Sequence, residues 1–142
     1  MAPFFSDNAA RTFFLPEMKR LVEHVHGKGK LIELHSCGHN ETRCDVFAEA
    51  GFDGWRPMPM NDTAALYRDF GDRINISVTY DKPFDPKTAT VEEQIAAADD
   101  YVARFVEHGK SAEFAQSHNQ AIMTEAFLKE LYRASRKKLA EA

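Results

Sequence analysis

Short period-two runs alternate with helical-period runs along the chain, and a glycine closes nearly every one of them. Ser6 or Asp7 offers a cap for a short first helix. From Pro16 the apolar residues fall at Met18, Leu21, Val22 and Val25, a helical stripe ended by Gly27 and Gly29. Residues 31–38 then alternate as a strand, with Ile32, Leu34 and Ser36 on one side and Leu31, Glu33, His35 and Cys37 on the other. Residues 41–50 read as a helix with Cys44, Phe47 and Ala48 on one face, stopped by Gly51. A short buried strand fits 53–57, and Asn61 or Asp62 caps a helix that runs to about Phe70 before Gly71. Residues 74–80 alternate again, Ile74, Ile76 and Val78 against Asn75, Ser77 and Thr79. Thr90 and Glu93 form a capping box for a helix with Val91, Ile95, Ala98, Val102 and Phe105 on one stripe, closed by Gly109. A weak strand candidate covers 111–117, and a last helix over 121–139 turns Phe127, Leu128, Leu131 and Tyr132 inward. Strands starting near 31, 54, 74 and 112 with helices between them predict an α/β fold with a parallel sheet.

The chain has 142 residues, enough for one domain or a piece of one, and no internal boundary is visible. Its 18 basic residues against 22 acidic ones, with no basic run, argue against a nucleic-acid partner. No apolar run approaches the roughly 18–20 residues of a membrane span. No charged-then-apolar leader is present, so the expected location is the cytoplasm. Two cysteines do not make a disulfide framework there.

One strand departs from the apolar norm for parallel sheets. Glu33, His35 and Cys37 place a carboxylate, an imidazole and a thiol on one face, just before a glycine turn at the strand's C-terminal end. Active sites of parallel α/β proteins are built at that end. Thiolate and imidazole together suit zinc, which needs at least a third ligand. The alternative is a buried histidine hydrogen-bonded to Glu33 beside an inert thiol. Cys44, on an apolar helix face, reads as a core thiol. His39 falls in the turn, and His24, His26 and His108 lie near helix ends. His118 follows the weak last strand and stands to reach the same end of the sheet. Trp55 and Arg56 are substrate-binding candidates, Arg56 for an anionic group; a tryptophan packed under the rim is the structural alternative.

The runs FFLPEMKRLVEHVHGKGKLIELHSCGH and FAEAGFDGWRPM, with the ending FLKELYRASRKK, resemble the uroporphyrinogen decarboxylase superfamily. The HSCG is similar to its cobalamin-dependent methyltransferase branch. The resemblance implies a (β/α)8 TIM barrel, of which this chain would be the C-terminal half, with about four parallel strands. It implies that His35 and Cys37 are zinc ligands and that a distal cysteine completes the set. The stretch where that cysteine should fall, 114–119, has none, and His118 would take its place. The implied reaction moves a methyl group from a methylated corrinoid to a zinc-activated thiol. Glu33 is the candidate catalytic carboxylate and a possible further ligand. No Asp-x-His-x-x-Gly motif is present, so the cobalamin would arrive on a partner corrinoid protein. The alternatives are decarboxylation of a tetrapyrrole, with Arg56 holding substrate carboxylates, or a non-catalytic assembly module. A full barrel takes about 250 residues. This chain is therefore expected to be a fragment, to pair with a separate N-terminal half, or to join a second copy, and not to be active alone.

Overall fold

The computed structural model describes residues 5–115 and 119–141. Four strands form one sheet, β1 (Glu33–Ser36), β2 (Gly54–Pro57), β3 (Asn75–Val78) and β4 (Ala112–Phe114), all parallel and in the spatial order of the sequence. The described residues also form six α-helical segments: α1 (Asp7–Ala9), α2 (Leu15–His26), α3 (Cys44–Ala50), α4 (Thr63–Phe70), α5 (Val91–Phe105) and α6 (Glu125–Ala140). A five-residue π turn, Ala10–Phe14, joins α1 to α2. No described helix is long and apolar enough to cross a membrane.

The local signals act where the sequence places them. Ser6 Oγ accepts from the Ala9 amide, Asp62 caps α4 through the Ala65 amide, and Thr90 and Glu93 close a reciprocal capping box on α5. Gly51 ends α3 at φ +90°, a conformation that a Cβ would strain, and a Cβ there would also meet Val22 at 3.3 Å.

Sequential parallel strand order, with the right-handed crossover sense that such connections take as a rule, lays the connecting helices on one face of the sheet. The register shows which face that is. Leu34, Trp55, Ile76 and Ala112 form one row across the sheet, with Ser36, Pro57, Val78 and Phe114 beyond it. Trp55, Ile76 and Val78 are fully buried. Under β1 and β2 the Phe47 ring meets Trp55 edge-on, centroids 5.1 Å apart. Under β3 and β4 an aromatic cluster links Tyr80, Tyr101, Phe114 and Phe127.

The inward faces of the last two helices differ from the expected stripes. Val91 and Ile95 are exposed, while Gln94 and Tyr101 are buried. Gln94 is drawn in because its amide donates to the Ala89 carbonyl (3.0 Å) and accepts from Thr124 Oγ1 (2.6 Å), tying the start of α5 to the cap of α6. On α6, Phe127 and Ala134 are buried, but Leu128 and Tyr132 face out. Glu130 takes an inward place, its carboxylate gripped by Arg133. The helix α5 ends at Phe105, and Gly109 shapes the following turn at φ +79°.

Candidate functional site

The second face of the sheet is polar. Glu33 and His35 from β1, Arg56 from β2, Asn75 and Ser77 from β3 and Glu113 from β4 share it by strand alternation. The side chains of Glu33, Arg56, Glu113 and Ser77 form one chain of contacts across all four strands. Arg56 Nη2 lies 2.9 Å from Glu33 Oε2 and 3.1 Å from Glu113 Oε1. Ser77 Oγ donates to the other Glu113 oxygen at 3.0 Å. Gly54 makes room for this arrangement, since a Cβ there would sit 3.2 Å from Glu33 Cγ. Glu33 and Arg56 are about half-exposed, so each ion pair alone contributes little to stability. Together they fix where the charges stand.

His35 is exposed and does not bond Glu33. Its Nδ1 lies 2.8 Å from the Arg56 carbonyl oxygen. A carbonyl only accepts, so Nδ1 is the donor, and in the neutral ring Nε2 carries the lone pair. That lone pair faces Cys37, with Nε2 and Sγ 3.6 Å apart. Cys37 is exposed, one residue past the end of β1. The alternative of a buried histidine held by Glu33 is therefore not what forms, because Arg56 has drawn the carboxylate across the strand.

The turn carrying Cys37 is clamped from below. Asn61 is buried; its Oδ1 accepts from the Asn40 amide (2.8 Å), and its Nδ2 donates to the Gly38 (3.0 Å) and Met58 (2.8 Å) carbonyls. Asn119 does the same for the other half of the sheet. It accepts from the Tyr80 amide (3.0 Å) and donates to the Val78 and Ala115 carbonyls (3.3 and 2.9 Å). Between them, Thr63 Oγ1 accepts from the Thr79 amide at 3.0 Å. Loops at the C-terminal ends of the strands are thus stitched together by buried side chains, as a preorganised site requires.

The remaining candidates divide clearly. Trp55 is fully buried on the helix-covered face, and its indole Nε1 donates to Ser36 Oγ at 3.0 Å. It realises the packing alternative and offers no surface to a substrate. Arg56 does lie on the polar face, but with two carboxylates on one nitrogen. Cys44 is a core thiol, pushed up to about 12 by burial and secondarily by Asp45. His39 pairs with Glu41 (3.0 Å), His26 with Asp53 (2.8 Å), and His108 meets the Leu139 carbonyl. His118 lies outside the described residues. Among the described residues no group of three or more His, Cys, Asp or Glu is gathered as a metal set. Glu113 and Asn61 were not singled out for the site from the sequence. The alternation of Ala112 and Phe114 around Glu113 would have placed that carboxylate; nothing local marks the reach of Asn61.

The two thiols should separate in reactivity. At about pH 8 a disulfide reagent is expected to titrate Cys37 quickly and Cys44 only after unfolding in urea. Two fast thiols in the native chain would contradict the burial of Cys44.

The chain matches no protein-family model, no curated protein and no solved structure.

Proposed function

We propose that this chain is the C-terminal half of a (β/α)8 barrel of the uroporphyrinogen decarboxylase superfamily, similar to its zinc-dependent corrinoid:thiol methyltransferases. The observation that carries the reading is the His35–Cys37 pair. Its 3.6 Å separation is close to the roughly 3.5 Å that nitrogen and sulfur ligands would keep on one tetrahedral zinc. The Nδ1 contact to the Arg56 carbonyl is the kind of outer support that orients a ligating imidazole through its other nitrogen. The residues present therefore fit two positions of a zinc site, and His118 is the candidate for a third. Zinc held there would supply Lewis-acid activation of a thiol, keeping it deprotonated near neutral pH.

The chain's own side chains do the rest. His35 keeps its lone pair aimed at the site because Nδ1 is committed to the carbonyl. Arg56 holds Glu33 and Glu113 back from the ligand pair, so that Glu33 acts on the site's charge and hydrogen bonding. Cys37 stands on the exposed rim, open to a methyl donor delivered by a corrinoid protein and to a small-molecule thiol acceptor. The reducing cytoplasm suits such a thiol. Tetrapyrrole decarboxylation is disfavoured by the same geometry, because the guanidinium that would hold a substrate carboxylate is already shared by two of the chain's own.

The test is metal content. The purified chain, expressed with zinc in the medium, is expected to hold about one zinc, and the His35→Ala, Cys37→Ala double variant less than about a tenth. A parent chain below about a tenth of an equivalent overturns the reading.

A further inference from the structure

Exposed apolar surface on this chain is not scattered. Of the eleven large apolar side chains that stand exposed among the described residues, none lies on α3 or α4, the helices over the middle of the sheet. Five belong to the segments flanking β1, Phe13, Leu21 and Leu31 among them, and five to α5 and α6 beside β4, including Leu128 and Tyr132. A hollow of about 310 Å³ opens beside β1 between Phe14, Met18 and Leu34. Another of about 480 Å³ lies between Ile95 and Lys129 on the β4 side. The strands β1 and β4 are also the two whose outer backbone edges no other strand pairs among the described residues. Unpaired edges with apolar flanks are surfaces that natural proteins cover.

We infer that a second copy of this chain covers them. Two copies related by a two-fold axis along the strands would set β4 of each beside β1 of the other and close an eight-stranded parallel barrel. This rests on the half-barrel reading above. Three features favour a second copy as the occupant. The two edges run in the same sense, so a single rotation joins each to its opposite and the ring closes with two identical contacts. Two sets of four strands make eight, a number at which a barrel closes with its interior filled by side chains. Ten half-exposed large side chains offer on the order of 800 Å² per chain, the per-partner area of a standard stable interface. Closure also changes the site. Within one chain the Glu113 backbone stands three strand spacings, about 14 Å, from β1, and its carboxylate reaches back as far as Arg56. In the closed pair, Glu113 of one copy comes to the strand next to His35 and Cys37 of the other, so each ligand pair gains a second carboxylate neighbour beside its own Glu33.

The test is mass in solution by light scattering at micromolar concentration. The chain is expected to run at about twice its 16.1 kDa. Leu21→Glu on α2 and Tyr132→Glu on α6 are exposed positions and should each raise the dissociation constant at least tenfold with helix content unchanged. Arg68→Glu on α4 should leave the dimer as it is. A stable monomer, or an open ladder of larger species, overturns the two-copy barrel. Hydrogen exchange on such a monomer separates this failure from that of the half-barrel reading. Fast exchange in β1 and β4 beside protected β2 and β3 keeps the half barrel and calls for another occupant. Equal protection of all four strands removes the half barrel as well.

Discussion

Trp55→Ala is expected to destabilise the chain by about 3–5 kcal/mol, read from urea denaturation followed by circular dichroism. The indole is fully buried at the centre of the helix-covered face, in register with Leu34 and Ile76. Removing it deletes the edge contact with Phe47 and leaves a cavity between β2 and α3 that the paired strands cannot collapse into. It also strips Ser36 Oγ of its indole donor. A domain of this size has a total stability of only about 5–15 kcal/mol, so the variant should sit near its unfolding midpoint at low urea. Trp55→Phe keeps most of the volume and should lose less than half as much. A cost below about 1 kcal/mol for the alanine variant would mean that the ring is not where the register puts it, and would reopen a substrate role for Trp55.

Asn61→Leu should cost about 2–4 kcal/mol although it preserves volume. The loss comes from hydrogen bonding. The Asn40 amide and the Gly38 carbonyl lose their partner at a buried side chain, and the Met58 carbonyl keeps only the backbone amide of residue 61. The effect should be local as well as global. Amide exchange at Asn40 is expected to accelerate far more than exchange in α5, because the turn after β1 is what the side chain holds. Unchanged protection at Asn40 would show that the turn keeps itself in place, and the claim that Asn61 positions Cys37 would fall.

Much of the architecture is legible in the sequence because period and punctuation are local. The two-residue alternation of 31–38 and 74–80 puts Glu33, His35, Ser77 and their neighbours on the face where they stand. Caps at Asp62 and Thr90 form through contacts three residues away, and so can be read three residues away. The edge helices were harder. Val91, Leu128 and Tyr132 are apolar and were expected inside, yet they face outward. Hydrophobicity tells that a side chain is to be covered and does not tell by what. Over the middle of the sheet this chain's own helices give the cover; at its margins Val91, Leu128 and Tyr132 stand exposed. The site's wiring was hardest of all. That Arg56 would be shared between Glu33 and Glu113, and that His35 would turn to a carbonyl on β2, depends on strand pairing between residues 21 and 57 positions apart. Paired strands bring such residues together, and no local pattern records it.

The sharing of one Arg56 nitrogen by two glutamates has an evolutionary consequence. Either glutamate can drift to a neutral residue while the other still neutralises the guanidinium, so the first loss is nearly silent. The second is not, since it strands a cation beside His35. Lineages that lose both acids must then give up the arginine too, so positions 33 and 113 should vary singly, and position 56 should change only where both have changed, across any set of homologues in which the strand pairing is retained.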